Sequence, residues 1–113
     1  MTVGTKGQPS KLENDFANLS DDFWTFFSNG TSLQEMYINP HLLTSREWDE
    51  LAKAIHWARA NRMFSVDLCT WAGGDPGQGE VYGFASWNPR KGILMWRNPA
   101  AHPATVTVKL REV

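Results

Sequence analysis

The acidic side chains best placed for hydrolytic chemistry are Asp21, Asp22, Glu35 and Asp67. Hydrolysis of a glycosidic bond needs two carboxylates that face each other across the substrate, about 5–10 Å apart. Asp21 and Asp22 follow Ser20, and acids in the first turn after a serine cap stabilise a helix. Asp67 alternates with apolar neighbours as on a strand, and Glu35 is left without a partner. We therefore expect no catalytic residue, and a small glycosidase-like enzyme centred on Glu35 and Asp67 is the weakest interpretation.

The histidines, the cysteine and the glycine-rich segment do not form a metal or phosphate motif. His41, His56 and His102 are isolated in the sequence, and none has the spacing of zinc ligands. Cys69 is the one cysteine, so it cannot form an internal disulfide, and packing as a small apolar residue is its expected role. Residues 73–79 lack the Gly-Lys-Ser/Thr ending of a phosphate-binding loop and lead into a strand. The sequence predicts neither a metal nor a cofactor.

Aromatic residues are the unusual feature of this chain, which has six tryptophans and six phenylalanines among 113 residues. Such a surplus indicates an interface or a ligand surface in addition to a core. Trp71, Trp87 and Trp96 are the candidates for stacking on the apolar faces of sugar rings. Packing in the core of a small β domain is the competing interpretation, and we favour it for Trp96.

The composition excludes several classes of protein. The formal net charge is −1 and there is no block of basic residues, which argues against a nucleic-acid footprint. No apolar run approaches the length of a membrane span, and the first residues have no apolar segment typical of a signal peptide. The compartment stays open, because a single thiol is compatible with both oxidising and reducing surroundings.

Helical periodicity dominates the first half of the chain. Apolar residues recur every three or four positions before the Ser-Asn-Gly stop at 28–30, and they are Leu12, Phe16, Leu19, Phe23, Phe26 and Phe27. This pattern predicts one helix or two that meet near Ser20, followed by a short strand at 33–40. Residues 1–10 are polar and contain glycine and proline, so we expect a disordered lead-in there.

The strongest helix signal begins at Thr44, which forms a T-x-x-E capping box with Glu47 ahead of residues 45–61. Trp57 lies on the side of this helix opposite its main apolar stripe, beside Ala54. Packing of Trp57 on the N-terminal helices is one interpretation. The other is an interface at Trp57 and Ala54, which predicts an apolar patch and weak self-association or contact with another domain.

From Met63 the apolar period changes to two, and turn residues become frequent. Asn88 to Gly92 has the sequence of a hairpin tip. The predicted strands are 63–71, 80–87, 92–97 and 104–110. The expected fold is therefore α+β in a single domain over 11–113, with helices in 11–62 packed on a four-stranded antiparallel β-sheet in 63–113, as a β-meander or half-sandwich.

Two stretches resemble the C-terminal part of retaining glycosidases of the α-galactosidase type. Residues 32–61, SLQEMYINPHLLTSREWDELAKAIHWARAN, resemble the last strand and helix of the catalytic barrel. Residues 81–110, VYGFASWNPRKGILMWRNPAAHPATVTVKL, look like the antiparallel β domain that follows it. The group is a bacterial family of large proteins often labelled as enterotoxins or α-galactosidase-like glycosidases. Its two catalytic aspartates lie on earlier barrel strands, and no stretch of this chain matches those motifs.

The resemblance implies a non-catalytic structural or accessory domain whose partner is a catalytic barrel domain, in a parent protein that is secreted or periplasmic. An independent carbohydrate-binding module that uses its exposed tryptophans is the alternative. In neither interpretation does this chain act as an enzyme by itself, and neither requires a nucleic acid or a membrane as partner.

Overall fold

The computed structural model describes residues 2–3, 16–65 and 68–110. Two α-helices are followed by a three-stranded antiparallel sheet, with a pair of two-residue strands beside the helices. The helices are α1 (Phe16–Ser28) and α2 (Ser45–Ser65), and the strands are β1 (Thr2–Val3), β2 (Tyr37–Ile38), β3 (Cys69–Gly73), β4 (Tyr82–Trp87) and β5 (Gly92–Arg97). The predicted α+β class is confirmed. Within the described residues, no helix is both long and apolar enough to span a bilayer.

The predicted four-stranded sheet is wrong, because the sheet has three strands in the order β3-β4-β5. Residues 104–110 belong to no strand, and Val106 and Leu110 are 39% and 57% exposed. The alternation of threonine and valine in this segment suits a half-buried strand. A strand also needs a neighbour that completes its hydrogen-bond ladder, and alternation alone does not supply one.

Other predicted boundaries shift by a few residues. Helix α2 continues to Ser65, so the strand predicted over 63–71 is confined to Cys69–Gly73. Each residue added to an established helix gains a hydrogen bond, which extends α2 past the change of period. The segment predicted as a strand over 33–40 contains only β2, which pairs in parallel with β1. Apart from β1, the proposed lead-in over 1–10 lies outside the described residues.

The hydrophobic core joins the two helices. Leu19, Phe23 and Phe27 are four residues apart, so they lie on one face of α1 and are buried. They pack against Leu51 and Ala54 of α2, and Leu43 completes the cluster. Phe23 and Ala54 are fully buried at 0% exposure. The core is therefore centred on α1 and α2, and the sheet contributes only small buried residues beside it.

The predicted capping box fixes the start of α2. The backbone N–H and the hydroxyl of Thr44 both donate to Glu47 Oε2, at 2.6 and 2.9 Å. The Glu47 N–H donates in return to the Thr44 carbonyl at 3.1 Å. Glu47 is only 1% exposed, so the cap is part of the packed structure and holds the entry of α2 against the core.

The hairpin between β4 and β5 also agrees with the sequence. Asn88 Oδ1 accepts from the N–H groups of Arg90 and Lys91 at 2.8 Å, and the Asn88 N–H donates to the Lys91 carbonyl at 2.9 Å. In the preceding loop, Asp75 N–H donates to Glu80 Oε2 at 2.7 Å, while Gly79 takes a left-handed φ of 75°. Short local hydrogen bonds thus set both connections of the meander.

The pairing register divides the side chains of the sheet between two faces, because directly opposed residues point to the same side. The helix-side face carries Cys69, Trp71, Tyr82, Phe84, Ser86, Ile93, Met95 and Arg97. The outer face carries Thr70, Ala72, Gly83, Ala85, Trp87, Gly92, Leu94 and Trp96.

Side-chain contacts show which face meets the helices. Arg97 forms an ion pair with Asp22 of α1, with 2.7 Å between Nη2 and Oδ1, and its Nη1 donates to Thr25 Oγ1 at 3.4 Å. The Cys69 thiol donates to the carbonyl of Asn29 at 3.1 Å. Cys69 and Arg97 lie at opposite ends of the helix-side face, so α1 and the residues after it are joined to the sheet on that side.

Candidate functional site

The three candidate sugar-binding tryptophans do not form one surface. Trp71 opposes Phe84 and lies on the helix-side face, whereas Trp87 and Trp96 lie on the outer face. Trp71 is 52% exposed and Trp87 is 41% exposed. Trp96 is half-buried, which places it between the two interpretations of the sequence. Any aromatic platform must therefore use Trp71 alone or Trp87 together with Trp96.

Trp71 belongs to a small aromatic cluster. Its ring is nearly parallel to that of Tyr82, with centroids 5.3 Å apart and planes at 8°, and it meets Phe84 at 82° with centroids 5.4 Å apart. A shallow depression beside it is lined by Gly73, Asp75 and Pro76. Stacking on Tyr82 orients the indole, while its 52% exposure leaves much of the ring open to solvent.

On the outer face, both indoles lie against glycines. A Cβ built on Gly92 would lie 1.9 Å from Cε3 of Trp87, so the Trp87 ring rests directly on the Gly92 backbone. A Cβ on Gly73 would lie 2.8 Å from Cζ3 of Trp96. Between these rings, Ala85 is 2% exposed and Leu94 opposes it on β5. We call the surface formed by Trp87, Leu94 and Trp96 the outer aromatic surface.

The outer aromatic surface runs along the sheet. Trp96 opposes Gly83 and Trp87 opposes Gly92 in the β4–β5 ladder. The two positions are four residues apart on β4, which corresponds to about 13 Å along the strand. Glycine and alanine beneath the rings leave room for the indoles to lie along the sheet, and this produces a broad apolar surface.

The structure places Trp57 against α1. Its ring meets that of Trp24 edge to face, with centroids 5.9 Å apart and planes at 70°. Trp57 is half-buried, and Ala54 is fully buried in the helical core. Ala54 is therefore part of the core and not of an exposed patch, because α1 covers the side of α2 that carries it. Packing of Trp57 on the N-terminal helix is the arrangement observed.

Glu50 anchors this helix–helix contact, although its position on the helical wheel predicts a solvated face. Glu50 Oε1 accepts from Trp24 Nε1 at 2.8 Å and from the Ser20 hydroxyl at 3.1 Å. Its Oε2 pairs with Lys53 Nζ at 3.1 Å. The hydrogen bond from Trp24, followed by that from Lys53, holds the pKa of Glu50 below its ordinary value, although partial burial acts in the opposite direction.

This lowered pKa predicts a specific loss of stability in acid. The contribution of Glu50 is fully present above its ordinary pKa of 4.5 and is lost as pH falls through the lowered value. We expect Glu50→Gln to be less stable than wild type at neutral pH, with the difference shrinking between about pH 5 and pH 3. Urea unfolding across this range measures it. A difference that does not change with pH contradicts the assignment.

The acidic residues considered for catalysis have structural partners where they are described. Asp22 pairs with Arg97, and the Tyr37 hydroxyl donates to Glu35 Oε1 at 2.9 Å on the surface. Asp67 lies outside the described residues. In the described part of the chain, no group of three or more histidine, cysteine or acidic side chains could hold a metal ion.

Two packed helices and a three-stranded meander define an α+β architecture, and this architecture alone does not specify an activity. Comparisons with protein-family models, curated proteins and solved structures found no match to this chain. The resemblance to the C-terminal part of α-galactosidase-like glycosidases therefore stays a prediction that rests on residues 32–61 and 81–110.

Proposed function

We propose that this chain is a non-catalytic accessory domain that packs its outer aromatic surface on another protein domain, and that this partner is the catalytic barrel of an α-galactosidase-like glycosidase. The observation that carries the proposal is the position of Trp87 and Trp96 on the sheet face opposite the contacts with the helices. The resemblance of residues 32–61 and 81–110 to the end of such glycosidases supplies the identity of the partner.

The energetics favour a protein partner for this surface. Trp87 is 41% exposed while it lies flat on Gly92, so its ring presents a broad apolar side to solvent. Each aromatic side chain can remove roughly 150–250 Å² of surface from water when it is fully buried. Aromatic residues that rest on a rigid strand also lose little conformational entropy on binding, and tryptophan is frequent among the residues that dominate interface energies.

The test uses the barrel domain of an α-galactosidase-like bacterial glycosidase, truncated before its β domain. We expect the two proteins to associate in sedimentation velocity experiments, and Trp87→Lys to weaken the association at least about tenfold. Gly92→Ala should act in the same direction, because the new methyl group displaces the Trp87 ring without adding charge. Trp71→Lys, on the opposite face, is the matched control and should bind as wild type does.

Two outcomes contradict the proposal. The first is a folded wild type, verified by circular dichroism, that does not associate with the barrel. The second is an association weakened equally by Trp71→Lys and Trp87→Lys. Hydrolysis of an aryl galactoside by the chain alone contradicts the non-catalytic assignment.

Carbohydrate binding at Trp71 is the second candidate function. It is favoured by the exposed indole, which Tyr82 orients, and by the adjoining depression at Asp75 and Pro76. A titration with galactosides and glucans, followed by NMR, separates it from the first. Shifts confined to Trp71 and its loop, and abolished by Trp71→Ala, identify a sugar site that does not use the outer aromatic surface.

A further inference from the structure

A cleft of about 310 Å³ lies on the helical side of the molecule, away from the outer aromatic surface. It is bounded by the end of α1, the residues that follow it, and the second half of α2. Phe27 and Ile55 provide apolar walls, and Thr31 and Ser32 line the cleft from the connecting segment. This volume is at the lower end of the range for small-molecule sites, which are about 300–1,000 Å³.

Two arginines give the cleft its charge. Arg59 and Arg62 are three residues apart on α2, so their side chains project from the same face of the helix. Both residues are exposed. The ion pairs of the described residues involve Lys53 and Arg97, so neither guanidinium in the cleft has a carboxylate partner among those residues.

The segment opposite the arginines is held in place by its own hydrogen bonds. Asn29 Oδ1 accepts from the N–H of Thr31 at 3.1 Å and from its hydroxyl at 3.0 Å, and Gly30 takes a left-handed φ of 77°. The Cys69 thiol donates to the Asn29 carbonyl, and Gln34 Nε2 donates to the Phe26 carbonyl at 3.3 Å. The wall of the cleft is therefore connected both to α1 and to the sheet.

The combination of charge and shape narrows the class of ligand. A guanidinium presents a planar fork of donors that matches a carboxylate, and two of them attract an anion strongly. Inorganic phosphate would use the arginines but leave the walls at Phe27 and Ile55 in contact with water. An organic acid with an apolar group uses both features, because its hydrocarbon part displaces water from those walls.

We propose that this cleft binds a small organic carboxylate, with its apolar group against Phe27 and Ile55 and its carboxylate held by Arg59 and Arg62. The site is independent of the proposed contact with a barrel domain, since the outer aromatic surface lies on the other side of the sheet from the helices. Occupation of the cleft would join the end of α1 to α2 through the ligand.

The test is an NMR titration of the whole chain with 3-phenylpropionate as the probe. We expect saturable shifts at residues 27–36 and 55–62, with a dissociation constant of about 1 mM, as befits a ligand of this size. Arg59→Gln and Arg62→Gln should each weaken binding by about tenfold or more, which corresponds to the loss of a charge-assisted hydrogen bond. Arg90→Gln, an exposed arginine at the hairpin tip, is the matched control and should bind as wild type does.

Related probes identify which part of the ligand is recognised. The neutral analogue 3-phenylpropanol tests the role of the charge, and acetate tests the role of the apolar group. Both should bind at least about tenfold more weakly than 3-phenylpropionate. Circular dichroism verifies that each arginine variant is folded, and the exposure of both side chains makes unfolding an unexpected result.

Several results overturn the proposal. One is the absence of saturable shifts at the cleft in wild type, and another is unchanged affinity in both arginine variants. Binding of inorganic phosphate as tight as that of 3-phenylpropionate identifies a general anion patch instead. Binding of an acidic peptide at these arginines, without any response to 3-phenylpropionate, identifies a protein partner and also contradicts a small-molecule site.

Discussion

Replacement of Phe23 by alanine is expected to lower the free energy of unfolding by about 3–5 kcal/mol. Phe23 is fully buried at the centre of the helical core, where it contacts residues of both helices and the segment before α2. Removal of the ring deletes its apolar contacts and leaves a cavity that rigid helices fill only in part. A domain of this size has a total stability of about 5–15 kcal/mol, so the loss is a large fraction of it.

Urea unfolding followed by circular dichroism measures the effect of Phe23→Ala. Leu33→Ala is the matched control, because Leu33 is 82% exposed and its truncation should change stability by no more than about 0.5 kcal/mol. A loss below about 1 kcal/mol for Phe23→Ala contradicts the placement of Phe23 at the centre of the core.

The second large effect is expected from Gly83→Ala in the middle strand. A Cβ at this position would lie 1.8 Å from the carbonyl oxygen of Met95 and 2.9 Å from its carbonyl carbon. These are backbone atoms of β5, so the strand itself must move to admit the methyl group. We expect a loss of about 3 kcal/mol, at the upper end of the range for an overpacked interior.

Gly77→Ala is the control for this substitution. A Cβ on Gly77 meets the side chain of Asp75 at 3.1 Å in an exposed turn, where a small adjustment removes the contact. Urea unfolding and NMR shifts along β5 distinguish the two variants. Equal stabilities, or a Gly83→Ala spectrum with unshifted β5 amides, contradict the close approach of β4 and β5.

Local signals in the sequence predict those parts of the fold that short-range hydrogen bonds determine. The Thr44–Glu47 capping box, the Asn88 hairpin and the limits of β5 agree with the structure. The predicted strand over 104–110 is not found. Its alternation describes a suitable surface, but strand formation depends on a partner distant in the sequence.

The candidate sites show the same limit. The sequence identifies Trp71, Trp87 and Trp96, but only the register shows that Trp71 lies on the other face from Trp87 and Trp96. Glu50 has the helical-wheel position of a solvated residue, and its hydrogen bond from Trp24 depends on how α1 crosses α2. Arg59 and Arg62 are visible as an i, i+3 pair, but the cleft exists only because residues 30–36 fold back beside them.

The concentration of large buried side chains in the helical core gives the described residues two tiers of local stability. In the helical core, the buried side chains include Phe23 and Leu51, whereas those in the sheet are small, such as Ala85 and Ser86. Opening of β5 thus disrupts a hydrogen-bond ladder and its partly exposed indoles, while separation of α1 from α2 exposes the whole apolar interior. Amide hydrogens of the sheet can then exchange through partial openings, and those at the helical interface wait for unfolding of the entire domain.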